Sequence, residues 1–292
     1  MMRRREFVAL AAGAAQTGAG IIDTHTHFYD PTRPQGVPWP PRSQTLLYRT
    51  VLSAEYKALV RPLGVEGTIV VEASEWVEDN QWVLGLAKDD PFLLGLVGRL
   101  PAGTPAFADL LRRFAKNALF LGIRLGAAAI REGLERAAFI DDMNRLAERG
   151  LALDALGGAP MLADVARLAE RVPALRIVID HLPFDPPAPL DALRGAPRVY
   201  AKISGVLRRR EGRLITDAAY YRPALDELCE TFGPRRVIYG SNWPVSELAG
   251  PYAVVLRVVR EYFTAKGEEA SRLYFRGNSQ AAYQWKPRAN PD

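Results

Sequence analysis

Cysteine is almost missing from this chain of 292 residues, in which Cys229 stands alone. One thiol can neither close an internal disulfide nor build a cysteine-rich tetrahedral zinc site, so any metal must be held by histidine and carboxylate. Histidine is scarce as well, with three residues, and no apolar run reaches the roughly 18 residues that suggest a transmembrane helix. A strong charge of one sign is also lacking. Lysine and arginine number 38 against 33 acidic residues, a surplus of +5, too thin for the dense cationic face that nucleic acid requires. The basic clusters Arg208-Arg209-Arg210 and Arg235-Arg236 are short, lack interleaved aromatics and read as solvated faces. No Gly-x-Gly-x-x-Gly turn follows a strand-like run, which removes the main support for a dinucleotide fold. The expected partner is a small molecule, with no nucleic acid and no membrane span.

What is present is ordinary globular material, 48% hydrophobic and 24% charged. Residues 1–20 stand apart. Arg3-Arg4-Arg5-Glu6-Phe7-Val8 followed by an Ala/Gly-rich stretch resembles a twin-arginine export signal, and the competing reading is a disordered start. The protein is accordingly expected in the cytoplasm or, after export, in the periplasm. Residues 21–292 form one domain. Strand-like runs fall at Ile21–His27, Gly67–Ser74, Phe92–Arg99, Leu119–Leu125, Leu151–Ala155, Arg176–His181, Arg198–Ser204 and Arg236–Asn242. Segments of helical period lie between them, among them Glu78–Lys88, Ala106–Ala115, Ala137–Arg149, Met161–Arg171 and Ala218–Phe232. Eight such alternations predict an α/β fold, a (β/α)₈ TIM barrel, which takes roughly 250 residues in one piece. The Pro- and Arg-rich segment Pro31–Ser53 follows the first strand and is expected to shape a pocket at the mouth.

All three histidines, His25, His27 and His181, fall at the C-terminal ends of predicted strands, where barrel chemistry sits. In Asp23-Thr24-His25-Thr26-His27 the strand period of two puts both imidazoles on one face, where they can converge on a metal ion. The competing reading is a pair of buried histidines that only satisfy hydrogen bonds.

Four stretches together, Ile22-Asp23-Thr24-His25-Thr26-His27-Phe28, Asp180-His181, Tyr200-Ala201-Lys202-Ile203-Ser204-Gly205 and Tyr239-Gly240-Ser241-Asn242-Trp243-Pro244, resemble the amidohydrolase superfamily. More narrowly they are similar to its amidohydrolase-related branch of sugar-lactone and pyrone-dicarboxylate lactonases. The resemblance implies a barrel hydrolase that opens a lactone by adding water to the ring carbonyl. It also implies that His25, His27 and His181 hold a divalent metal, zinc or manganese, although some members of the branch work without one. A metal-dependent decarboxylase on the same fold and a non-catalytic ligand-binding barrel are the alternatives.

The chain departs from the family pattern on strand eight, where the family usually carries an Asp that takes a proton from the attacking water. Asn242 stands there, and a neutral amide cannot be that base. Glu72 on strand two is the candidate replacement, as general base or fourth ligand, against a structural pairing with Arg124 or Lys202. His181 and Asn242 complete the expected catalytic set, with Asn242 holding water or polarising the carbonyl. Arg124 matches the family's strand-four arginine and is expected to grip the substrate or to form an ion pair inside the barrel, with Lys202 either in support or structural. Trp76, Trp243 and Tyr48 are candidate aromatic walls for a ring. Asp154 reads best as a cap for the next helix.

Overall fold

In a computed structural model of the chain, which describes residues 20–182 and 190–288, eight strands run parallel in chain order. They are β1 (Ile21–Thr26), β2 (Val65–Val71), β3 (Leu93–Gly98), β4 (Phe120–Gly126), β5 (Ala152–Leu156), β6 (Arg176–Asp180), β7 (Val199–Ile203) and β8 (Val237–Tyr239). The helices α1 (Ser53–Val60), α2 (Asp79–Lys88), α3 (Phe107–Phe114), α4 (Ala127–Leu134), α5 (Ala137–Glu148), α6 (Met161–Arg171), α7 (Ala218–Phe232) and α8 (Tyr252–Ala265) fill most of the connections. The strands are short β-branched and leucine runs buried on both faces, as a sheet with helices outside and side chains inside demands. This is the expected single-domain (β/α)₈ barrel. No described helix is long and apolar enough to cross a membrane. The proposed export segment lies outside the described residues.

Two differences from the sequence expectation bear on the site. β2 ends at Val71, so Glu72 is the first residue past the strand and faces the mouth. β8 is regular only over Val237–Tyr239, because the chain turns out of the sheet at Asn242, whose φ is 61°. The seam between β1 and β8 is nevertheless closed by backbone bonds. Asn242 N–H donates to the His25 carbonyl and His27 N–H to the Trp243 carbonyl, both at 2.9 Å. Gly240 permits this approach, since a Cβ there would meet the His25 Cβ at 2.9 Å.

The interior core of Ile22, Ile69, Val97, Leu121, Val178 and Ile238 is joined by Tyr283 and Trp285 from the C-terminal segment. Arg176 at the start of β6 donates to the Ala282 carbonyl at 2.7 Å and ties that segment to the N-terminal strand ends. Only the opposite end is left for a site. One basic cluster is not the solvated face expected of it: the Arg236 guanidinium donates to the Ala196 and Arg194 carbonyls at 2.8 and 3.0 Å and straps the turn before β7.

The seam is anchored by Asp23, which is fully buried. Its Oδ1 accepts from the backbone N–H groups of Ser241 (2.8 Å) and His25 (3.1 Å), and its Oδ2 from the hydroxyls of Tyr56 (2.6 Å) and Tyr252 (3.1 Å). Burial raises its pKa against the pull of these donors. Asp23→Ala would strand four buried donors, at about 1–3 kcal/mol for each left unsatisfied. A loss of at least about 3 kcal/mol is expected in urea denaturation.

Candidate active site

β1 delivers His25 and His27 to the mouth by its period of two, and their Nε2 atoms lie 3.2 Å apart. His27 Nδ1 faces the Val71 carbonyl at 3.0 Å, so its proton belongs on Nδ1 and Nε2 carries a lone pair. The Asn242 side-chain amide lies 3.3 Å from that nitrogen. His181 closes the group from β6, its ring centroid 4.4 Å from that of His25 and its Nδ1 2.6 Å from Ser204 Oγ. Like Asn242, His181 sits in the left-handed region, at φ 53°. A non-glycine residue there is uncommon, and both are found at strand ends where the side chain must turn across the mouth.

Behind the imidazoles lies a fully buried charged triad. Lys202 Nζ is 2.7 Å from Asp154 Oδ2 and 2.8 Å from Asp180 Oδ1, and 3.2 Å from His25 Nδ1. Asp180 Oδ1 is in turn 3.3 Å from His25 Nδ1. Tyr283 donates its hydroxyl to Asp154 at 2.9 Å. A second pair lies nearer the opening, with Arg124 Nε donating to Glu72 Oε1 at 3.0 Å and its Nη2 to the Glu72 carbonyl at 2.6 Å. Arg124 Nη1 is 3.9 Å from Asp180 Oδ2, which links the two groups.

Burial dominates the protonation states. It lowers His27 to about 3, helped by Arg124, and His181 to about 4, against the pull of Asp180. It also holds His25 well below its usual value. All three imidazoles are therefore neutral near pH 7. Burial opposes ionisation of Asp180 too, but Lys202 and His25 outweigh it and hold that carboxyl well below the ordinary range. Burial raises the Glu72 pKa, with Arg124 opposing.

The donor set fits a divalent cation. His25, Asp180 and His181 each offer a ligand atom, all within 4.8 Å of one another. Both Asp180 oxygens are buried; Oδ1 lies against the Lys202 ammonium at 2.8 Å, and Oδ2 has no hydrogen-bond partner among the described residues. Neutral imidazole lone pairs beside an ionised carboxylate are the ligands that zinc and manganese accept.

An amidohydrolase family model matches residues 22–285. The chain belongs to the amidohydrolase family. It is 32% identical over 247 residues to an L-fucono-1,5-lactonase of Burkholderia ambifaria, covering 79% of this chain and 82% of that one. A second L-fucono-1,5-lactonase, from Burkholderia multivorans, is 26% identical over 90% of this chain and 95% of its own. A crystal structure of an amidohydrolase from Burkholderia multivorans with bound zinc superposes with a TM-score of 0.79 at 24% identity, over 92% of this chain and 100% of that one.

Within this amidohydrolase barrel the sequence-predicted residues divide. His25, His27, His181, Asn242, Glu72 and Arg124 meet at the mouth. Lys202 does not face a substrate: it is fully buried and spent on Asp154, Asp180 and His25. Asp154 is no helix cap, because it sits inside β5 with its carboxylate turned into the barrel. Trp243 is no ring wall. It is fully buried, packs on Phe28 and Tyr56, and donates Nε1–H to Glu247 at 2.9 Å. Tyr48 lies beside the Arg42 guanidinium and Trp76 is 37% exposed, and neither lines the cleft next to the imidazoles. That cleft is walled by Tyr29, Arg33, Trp39, Glu72, Asp79 and Trp82, with the Trp39 ring 5.8 Å from that of His27. The loop after β1 thus shapes the pocket as expected, through residues not singled out from the sequence. Asp180, Ser204 and Trp39 were missed; the adjacency of Asp180 to His181 was the available signal for the first.

The depressed histidines make metal-free stability depend on pH. Between about 6.5 and 4 the imidazoles of the unfolded chain take up protons while the native ones stay neutral. The unfolded state then binds more protons, so stability falls as pH falls, by up to about 1.4 kcal/mol per pH unit for each histidine. In urea denaturation with chelator present, His181→Asn is expected to flatten that slope by about one proton. An unchanged slope would contradict a buried neutral His181.

Proposed function

We propose that this protein opens a lactone ring by adding water to the ring carbonyl at the barrel mouth. The observation that carries the reading is the meeting of the proton-free His27 Nε2 with His25 Nε2 at 3.2 Å, beside His181 and the ionised Asp180 carboxylate, whose Oδ2 is left without a partner among the described residues. Membership of the amidohydrolase family and the 32% identity to an L-fucono-1,5-lactonase support the choice of a lactone over a carboxylated substrate for decarboxylation.

His25, Asp180 and His181 would hold a divalent ion, zinc or manganese, with His27 beside them. Such an ion, when bound, polarises a carbonyl and eases the ionisation of water. Glu72 is the general base. It lines the cleft, and burial moves its pKa up toward the range where a carboxylate exchanges protons usefully. Arg124 positions it by clasping both its side chain and its backbone carbonyl. Glu72 takes one proton from water as the hydroxyl oxygen bonds to the carbonyl carbon. It then returns that proton to the ring oxygen as the ring C–O bond breaks, and a hydroxy acid leaves. Asn242 lies where its amide can donate to the carbonyl oxygen as negative charge gathers there, a contribution of about 3 kcal/mol in comparable oxyanion sites.

Glu72→Gln is expected to lower kcat for lactone hydrolysis by about 10²–10⁴-fold with binding little changed, and full activity in this variant would remove Glu72 from the mechanism. Asp180→Asn is expected to reduce the zinc or manganese retained after purification well below that of the unaltered protein, measured by elemental analysis. Turnover that survives complete chelation would assign carbonyl polarisation to Asn242 and Arg124 alone.

A further inference from the structure

The cleft beside the imidazoles holds an arginine that the mechanism does not use. Arg33, from the loop after β1, has only 9% of its side chain exposed. Its guanidinium lies over the Trp82 ring with Cζ 4.4 Å from the ring centroid. Nη2 donates to Asp79 Oδ1 at 2.8 Å, and weakly to the Gly36 carbonyl at 3.4 Å. Nε and Nη1 are buried and have no acceptor among the described residues. A buried guanidinium N–H without an acceptor is costly, so its persistence on the wall of a cleft points to an acceptor that arrives with a ligand.

The charges of the cleft restrict what that ligand is. Arg33 is already neutralised by Asp79, and Arg124 by Glu72. Among the described residues Arg33 is the cation lining the cleft and is already shared with Asp79, and a substrate carboxylate there would face those of Glu72 and Asp79. A hydroxyl group suits this lining better, because it accepts from Arg33 and donates to a carboxylate at once. Trp39 supplies a flat apolar wall for the carbon face of a ring, while the Trp82 ring backs the Arg33 guanidinium.

Resting on the lactonase reading above, we infer that Arg33 is the specificity-determining residue for an uncharged, hydroxylated lactone, reading a ring hydroxyl through Nε and Nη1. Lactones bearing a carboxylate are excluded from this cleft. The carbonyl lies toward the imidazoles and the hydroxyl that is read lies toward Arg33.

The test compares three lactones of one ring size: a polyhydroxylated one, one without hydroxyls and one carrying a carboxylate. The wild type is expected to prefer the first. In Arg33→Met the ratio of kcat/KM for the hydroxylated over the bare lactone is expected to fall by about 10–100-fold, carried by KM, which matches the loss of hydrogen bonds to a charged donor. Arg33→Lys keeps a cation near Asp79 but lacks the second donor edge, and is expected to lose the same preference while retaining the wild-type Tm. An unchanged ratio in both variants, or a carboxylated lactone hydrolysed best, overturns the inference while leaving a lactonase. Binding of a polyhydroxylated cyclic ether, which has no carbonyl to hydrolyse, gives a readout independent of the reaction. Calorimetric binding that weakens in Arg33→Lys supports the cleft assignment even if no lactone is turned over, and equal binding to both proteins overturns it.

Discussion

The site depends on one ammonium group buried between two carboxylates. Lys202, Asp154 and Asp180 are all withdrawn from water, where each alone would lose its charge. Held together, Lys202 and Asp180 do not. Burial works against the Lys202 charge, but Asp154 and Asp180 outweigh it and raise its pKa. The same lysine keeps Asp180 ionised. Two carboxylates and one ammonium leave a surplus of one negative charge when all are ionised, and the Arg124–Glu72 pair adds none. Burial and its neighbour Asp180 raise Asp154 to about 7, so that carboxyl takes up a proton first, while Asp180, the member nearest the imidazoles, keeps its charge beside Lys202. A localised buried anion beside neutral nitrogen lone pairs is the electrostatics of a cation site.

That arrangement requires three adjacent strands to end at the right height, and the barrel supplies this by register. Leu156 pairs with Asp180 across β5 and β6, and Ile179 with Ala201 across β6 and β7, so Asp154, Asp180 and Lys202 project inward from neighbouring strands. The fourth contributor, His25, comes from the far end of the chain order. It reaches the group only because β1 closes against β8, and the Asp23 hydrogen bonds to Ser241, Tyr56 and Tyr252 hold that seam. The geometry of the candidate site therefore rests on a closure contact between residues more than 200 positions apart in sequence.

Elements whose logic is local were legible in the sequence. Alternation placed His25 and His27 on one face, and the helical period marked α6 and α7 with their observed ends. Residues whose role depends on a neighbouring strand were not. Asp154 looks like a cap when the strand is ended at Ala155, but β5 runs to Leu156 and turns the carboxylate inward to Lys202 and Tyr283. Lys202 and Trp243 belong to motifs at the mouth, yet one is consumed by two acids and the other is wedged under the seam. Arg33 and Trp39 sit in a loop without period, where composition announces a pocket but not which side chains enter it.

The same electrostatics give a reason for the amide on strand eight. Asn242 Oδ1 lies 3.3 Å from His27 Nε2, within the shell around the imidazoles. A carboxylate there would bring a further negative charge next to Asp180, in a region where Lys202 is already shared. An amide leaves the charge balance untouched and still offers both a donor and an acceptor. A base is then needed elsewhere, and it must bring its own counter-ion if the centre is to keep its balance. Glu72 at the end of β2, clasped by Arg124 from β4, meets that condition: a carboxylate that faces the cleft while its partner cancels its charge toward the buried triad.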